Sequence, residues 1–140
     1  MSPQATPSRS MRRWALALYW TAMFLLTHWP EINRYEPAGG WPIPHFEEVM
    51  HFSTYAGWVI MWWWLLSARG RRVSQTASNW IILGGAVYAG FDELTQALVE
   101  RHPEVGDFLL DVFGVLIASS ICQLWQRSFW LRRSRQGRQA

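Results

Sequence analysis

Four long apolar stretches, separated by polar segments, run along the chain. They extend over residues 14–29, 52–68, 80–99 and 108–125. A helix needs about 17–25 residues to cross a hydrocarbon core about 30 Å thick, so each stretch is near the length of a membrane span. Trp14 and Trp29 mark the ends of the first and shortest stretch, as expected of a side chain enriched at membrane interfaces. The pattern predicts an all-α fold, an integral membrane four-helix bundle with four transmembrane helices.

A cleaved signal peptide is the alternative interpretation of the first stretch. Arg12 and Arg13 precede it, as in a signal peptide, but the segment that follows lacks a small-x-small cleavage pattern. That segment reads Pro30, Glu31, Ile32 and Asn33. We therefore expect this stretch to be a retained membrane anchor.

The length of 140 residues leaves room for one domain. Polar, Arg-containing segments flank the apolar part of the chain. We expect a disordered basic N-terminus over residues 1–13, a four-helix transmembrane domain over residues 14–131 and a disordered basic tail over residues 132–140. Between Pro30 and Pro44, four Pro and two Gly predict an irregular outer loop.

Charge alternates from one connecting segment to the next. All 13 basic residues are Arg, and most lie before the first stretch, between the second and third, or after the fourth. These are Arg9, Arg12, Arg13, Arg69, Arg71, Arg72, Arg127, Arg132, Arg133, Arg135 and Arg138. All 10 acids lie toward the other side, which only Arg34 and Arg101 share. Because positive charge stays cytoplasmic, both termini are predicted to be cytoplasmic and the acidic side to be outside.

The composition agrees with a membrane protein. Half of the residues are hydrophobic and 16% are charged, which is low for a soluble domain. The net charge of +3 might suggest nucleic acid, but the segregated Arg residues are explained by topology and by contact with anionic lipid. We therefore expect the lipid bilayer as a partner and no nucleic acid. Cys122 is the single cysteine, which excludes a disulfide framework and a cysteine-based metal site.

Polar side chains recur at the predicted outer ends of the second, third and fourth helices. Spacings of four place several of them on one stripe of each helix. They are Glu47, His51 and Tyr55 on the second helix, Asp92, Glu93 and Gln96 on the third, and Asp107 and Asp111 on the fourth. Ionisable groups in hydrocarbon are costly unless they face a cavity or a partner. We expect these side chains to converge in one outward-facing pocket inside the bundle.

Two further patterns concern packing. Gly114 and Ala118 lie four residues apart on the fourth helix, and small residues at that spacing allow a neighbouring helix to come close. The run Trp62, Trp63 and Trp64 predicts lipid-facing or interfacial packing.

Three motifs resemble those of VanZ-like membrane proteins. Residues 47–55, EEVMHFSTY, resemble the DKxxHFxxY opening of that family. Residues 91–96, FDELTQ, resemble its DExxQ segment, and residues 106–112, GDFLLDV, its GDxxDV segment. Order and spacing agree between about Pro44 and Ser119. The resemblance implies that the characteristic polar residues of the family stand at Glu47, His51, Tyr55, Asp92, Glu93, Gln96, Asp107 and Asp111.

The resemblance also carries functional expectations. It implies a multi-pass protein of the bacterial cytoplasmic membrane, with a link to the cell envelope and to antibiotic resistance of the teicoplanin (glycopeptide) type. It supplies no biochemical mechanism.

The chain departs from the family pattern at four positions. Glu48 stands where Lys is usual, Val115 where Asn is usual and Ala118 where Gly is usual. Val105 stands where Arg is usual, although Arg101 lies one helical turn earlier. These departures predict a divergent member with weakened or changed activity.

Three functions are open for the predicted pocket. It is expected to bind a lipid, an envelope precursor or a membrane protein partner. One alternative is an enzyme that uses Glu47, His51, Asp92 and Asp111 for acid–base catalysis on a lipid-linked envelope substrate. The other is a subunit of a proton-coupled transporter, since Asp and His relays occur in such proteins. No cofactor and no metal are expected, because no HExxH-like signature accompanies the nitrogen and oxygen ligands of those four residues, and a divalent metal stays as the alternative.

Overall fold

Four α-helices form the described part of the protein. A computed structural model describes residues 7–28, 45–96, 98 and 104–136. The helices are α1 (Arg9–Thr27), α2 (Phe46–Leu66), α3 (Gln75–Gln96) and α4 (Val105–Gln136), with a 3₁₀ turn at Ala68–Gly70 and no strand within those ranges. The predicted all-α, four-helix fold is confirmed. The predicted outer loop and Arg101 lie outside the described residues.

Two helices extend beyond the apolar stretches. The first begins at Arg9 because Ser8 caps it, its hydroxyl accepting a hydrogen bond of 3.2 Å from the backbone N–H of Met11. The last continues to Gln136, since its Arg- and Leu-containing end holds no helix breaker before Gly137. Residues 9–13 and 132–136, expected to be disordered, are therefore helical.

Successive helices run in opposite directions. Near the start of α1, the guanidinium of Arg12 donates a hydrogen bond to the carbonyl of Trp64, near the end of α2. In contrast, His51 near the start of α2 bonds Asp111 near the start of α4, so these two helices run parallel. With α3 joined to both by short connections, the order is up-down-up-down.

The most extensive contact joins α2 and α4, and Gly114 makes it possible. A Cβ atom at Gly114 would collide with the carbonyl oxygen of Phe52 and lie 3.2 Å from the backbone nitrogen of Ala56. The predicted close approach is thus confirmed. The backbones of α2 and α4 are in contact one turn below the polar end of the bundle. This contact keeps the starts of the two helices level with each other.

Aromatic side chains fill the middle of the bundle. The Trp58 ring is 3% exposed and meets Trp20 of α1 and Trp62 edge-on, with centroids 5.9 Å and 6.0 Å apart. Trp63 is also buried. The prediction of lipid-facing or interfacial packing was therefore wrong for Trp63, because three consecutive helical residues point in directions about 100° apart.

Charge is separated between the two ends of the bundle. At one end, the guanidinium of Arg12 lies over the ring of Trp64 at 4.9 Å. Those of Arg72 and Arg133 each lie 5.7 Å from the ring centre of Trp130. Every described Arg belongs to this end, and the described acids belong to the opposite end.

Large apolar side chains cover the outer faces of all four helices. On α3, for example, Leu83, Val87, Phe91 and Leu94 are each more than half exposed and lie along one stripe. Among the described residues, one helix, α4, is both long and apolar enough to cross a membrane. Polar end residues and many Trp side chains lower the hydropathy of the other three.

Candidate functional site

A cluster of buried polar side chains lies at the acidic end of the bundle. Here the end of α1, the start of α2, the end of α3 and the start of α4 come together. The buried members are Tyr55, Asp92 and Asp111, each 0% exposed, with Gln96 at 1%, Glu93 at 5% and His51 at 6%. Six of the eight residues singled out in the sequence are therefore buried in one region.

His51 lies between two carboxylates of α4. Its Nδ1 is 3.1 Å from Oδ1 of Asp111, and its Nε2 is 3.5 Å from Oδ2 of Asp107. Spacing of four along α4 places both acids on the same side of that helix. Each ring nitrogen therefore faces an acid, and only the imidazolium form carries an N–H on both nitrogens.

Asp92 faces α1, which the sequence analysis did not include in the site. The hydroxyl of Thr27 donates a hydrogen bond of 3.0 Å to Oδ1 of Asp92, and Nδ1 of His28 lies 3.5 Å from the same oxygen. Nε2 of His28 bonds the hydroxyl of Thr95 at 2.8 Å. One sequence feature could have indicated that α1 contributes to the site: the polar pair Thr27 and His28 at the end of an otherwise apolar stretch.

Glu93 joins the end of α3 to the start of α4. Its Oε1 accepts a hydrogen bond of 3.4 Å from the side-chain amide of Gln96. Its Oε2 accepts one of 3.1 Å from the backbone N–H of Glu104. These two contacts place the Glu93 carboxylate beside the first turn of α4, where an acid also complements the helix dipole.

Three buried oxygen atoms of the cluster lack a hydrogen bond to the described residues. They are Oδ2 of Asp92, Oδ2 of Asp111 and the hydroxyl of Tyr55. The Tyr55 hydroxyl lies close to the Asp92 carboxylate, with which a small movement completes a hydrogen bond, and it also interacts electrostatically with Asp111. A buried polar atom without a partner costs about 1–3 kcal/mol. The three atoms lie on three different helices, so the cluster retains hydrogen-bonding capacity for a further polar group.

The donor atoms form two groups that share His51. The outer group consists of Glu47, His51 and Asp107, and the inner group of His51, Glu93 and Asp111. Within each group the donor atoms lie within 4.8 Å of one another. Glu47 is exposed at the rim. The four candidate ligands inferred from the sequence therefore do not form a single group, because the Asp92 carboxylate turns toward α1.

The departures from the family motifs fall outside this cluster. Glu48 accepts a hydrogen bond of 2.9 Å from the exposed His45, and Val105 is 76% exposed. Val115 and Ala118 are buried in the apolar core. The polar centre is therefore retained while its surroundings differ.

The described residues thus form four helices around a buried acid–histidine cluster, and one of these helices is long and apolar enough to cross a membrane, as expected of a small membrane protein. A family model described as VanZ/LLP1 matches residues 2–126. Because this match covers most of the chain and includes all three motifs, the chain belongs to the VanZ/LLP1 family. No curated protein and no solved structure matches the chain.

Proposed function

We propose that the protein crosses the bacterial cytoplasmic membrane four times, with both termini cytoplasmic and the polar cluster toward the outer leaflet. At about 1.5 Å per residue, helices of 19, 21, 22 and 32 residues are about 28–48 Å long, so the shortest nearly matches a core about 30 Å thick and the other three exceed it. Exposed apolar stripes suit lipid contact. The Arg-rich end suits the cytoplasmic side.

A reporter fused after Ala140 tests this topology. We expect a fluorescent protein that matures only in the cytoplasm to be bright at this position, and alkaline phosphatase to be inactive there. The matched control places the same reporters after Gly40 in the outer loop, where the two signals should be reversed. High phosphatase activity after Ala140 would overturn the proposed orientation.

We further propose that the cluster binds the polar head group of a lipid or lipid-linked envelope precursor, and thereby contributes to resistance of the teicoplanin type. The observation that carries this proposal is the set of three buried, unpartnered oxygen atoms on Tyr55, Asp92 and Asp111. A site near the outer leaflet is reached by head groups, and family membership supports the link to resistance.

Head-group binding fits the arrangement better than acid–base catalysis by a histidine. A general base needs a ring nitrogen that faces the substrate, within about 2.6–3.2 Å of its proton. Both nitrogens of His51 already face acids, Asp111 and Asp107. His28 is likewise engaged by Thr95 and Asp92.

Asparagine substitutions in the cluster test the binding proposal. Expressed in a teicoplanin-susceptible bacterium, the wild-type chain is expected to raise the inhibitory concentration, whereas Asp92→Asn and Asp111→Asn should each lower it to near the empty-vector level. Both changes keep the side-chain shape but remove an acceptor and a charge. The measurement is the inhibitory concentration at equal membrane abundance, with Glu48→Gln as the control that should retain resistance.

Two results would contradict the proposal. Full resistance in both asparagine variants would separate the cluster from the phenotype. A new lipid product, seen by mass spectrometry in membranes with the wild-type chain and absent with Asp111→Asn, would instead assign the cluster to an enzyme.

A further inference from the structure

Negative charge predominates at the polar end of the bundle. The groups that face one another there are Glu47, His51 and Tyr55 from α2, Asp92 and Glu93 from α3, Asp107 and Asp111 from α4, and His28 from α1. Five are acids and two are imidazoles, and the described Arg residues lie at the other end. Within the described residues, the two imidazoles are the cationic groups of this cluster, and buried carboxylates are costly unless they are paired or bind a cation.

We propose that His51, Glu93 and Asp111 form a binding site for a first-row divalent cation, Zn²⁺ or Mn²⁺. One imidazole and two carboxylates from three helices are a ligand set that such ions accept. The imidazole binds the ion in its neutral form, so the cation replaces a proton that His51 shares with its neighbouring carboxylates, and that proton is released to solvent. Their donor atoms lie within 4.8 Å of one another. Zinc-to-ligand distances of about 2.0–2.2 Å give donor separations of about 3.5 Å in a tetrahedral site, so a small closure of the three side chains suffices.

A second observation points to a ligand at this place. Oδ2 of Asp111 is fully buried and has no hydrogen-bond partner in the described chain. The Tyr55 hydroxyl, which lies closest in its interactions to Asp92, also interacts with Asp111. The unpartnered oxygen of Asp111 offers a lone pair to a cation. The Tyr55 hydroxyl can donate to a carboxylate or to a water on the metal.

Fixed surroundings favour the inner group over the outer one. Glu93 is held by Gln96 and by the backbone N–H of Glu104, so its orientation is set before a ligand arrives. Glu47 of the outer group is exposed, and water competes for its carboxylate. The inner group is therefore assigned as the site.

A cation at this site would also explain how an acidic cluster can bind a negatively charged head group. Phosphate is repelled by an acidic cluster, but a divalent ion held by three protein ligands keeps an open position for a phosphate or carboxylate oxygen. The cation site involves the same residues as the head-group proposal, yet it is tested with the metal alone, so either proposal can fail without the other.

The test is isothermal titration calorimetry of the purified, chelator-treated full-length protein in detergent, with ZnCl₂ and MnCl₂ as probes. We expect one cation per chain for the wild type. Glu93→Gln and Asp111→Asn should each weaken its affinity by at least about 10-fold. Glu48→Gln, which removes a carboxylate from the same end of the bundle outside both donor groups, should leave the affinity within about 2-fold.

Thermal unfolding of each variant without metal supplies the folding control. For any variant that unfolds below the assay temperature, the comparison is made with the other inner-group variant. The wild type should also unfold at a higher temperature with Zn²⁺ than without it, a shift that Glu93→Gln reduces.

Three outcomes would overturn the assignment. The first is a wild-type protein that binds neither metal, which would mean that the acids are neutralised by protons. The second is an equal loss of affinity in Glu48→Gln. The third is loss of binding in Glu47→Gln with binding intact in Glu93→Gln, which would move the cation to the outer group.

Discussion

Replacing Gly114 by alanine is expected to destabilise the protein by about 2–3 kcal/mol. The added Cβ collides with the carbonyl oxygen of Phe52 and presses on the backbone nitrogen of Ala56. These are backbone atoms inside a helix, so neither moves without displacing α2 from α4. The gain of about 1 kcal/mol in helix propensity from Gly to Ala opposes this cost but does not offset it. The free energy of unfolding in detergent, followed by circular dichroism, measures the effect.

Gly84→Ala is the matched control, also inside a helix. A Cβ there lies 3.8 Å from the ring of Trp58, an ordinary van der Waals contact. Stability is expected to stay level or to rise by up to about 1 kcal/mol. Similar losses in both variants would show that α2 and α4 do not approach each other at Gly114.

The consequence for the site is also measurable. Asp111 lies one helical turn from Gly114 on α4, so separating α4 from α2 lengthens the contact between Asp111 and His51. Gly114→Ala should therefore lower resistance even where it is expressed at wild-type abundance, whereas Gly84→Ala should not.

Replacing His51 by leucine is expected to cost about 3–5 kcal/mol of stability. Asp111 is fully buried and Asp107 is 13% exposed, and His51 is the group that lies between them. Without the imidazole, the fully buried Asp111 faces an apolar side chain and loses the one hydrogen bond that its carboxylate makes within the described residues. Chemical unfolding at neutral pH, with a chelator present to exclude metal, isolates this effect.

The control is another histidine of the same region. His45→Asn removes an imidazole that is 79% exposed and pairs with the exposed carboxylate of Glu48, and asparagine tolerates the φ of 54° at this position. Its effect on stability is therefore expected to be small. The double variant His51→Leu/Asp111→Leu should lose less than the two single losses combined, because removing both partners leaves no orphaned pair. Strict additivity would show that His51 and Asp111 do not interact.

The sequence was sufficient for the class of fold because that information is local. The length of an apolar stretch and the sign of the charge at each end are properties of single segments, and they predicted four helices and an acidic end. The boundaries at Arg9 and Gln136 were missed. Arg-containing turns outside an apolar stretch carry no hydropathy signal, although their helix propensity and the Ser8 cap favour helix.

Spacing within a helix also selected the polar residues of the site, but it did not select their partners. Four-residue spacing placed Asp107 and Asp111 on one side of α4 without showing that His51 lies between them. It suggested Asp92 as a companion of Asp111, whereas Asp92 bonds Thr27. Which faces meet depends on the rotation of each helix about its own axis and on how closely the backbones approach.

By itself, then, the sequence determined that the chain is helical, that its charges are separated between two ends, and which acids and histidine gather at one of them. Only the tertiary structure decided that α1 takes part in the site and that the acids divide around His51. It also decided that oxygen atoms of Asp92, Asp111 and Tyr55 stay unpartnered within the described chain. The physical reason is that side-chain partners depend on the rotation and separation of the packed helices, which the contact at Gly114 sets for α2 and α4 and the Thr27–Asp92 hydrogen bond reflects for α1 and α3.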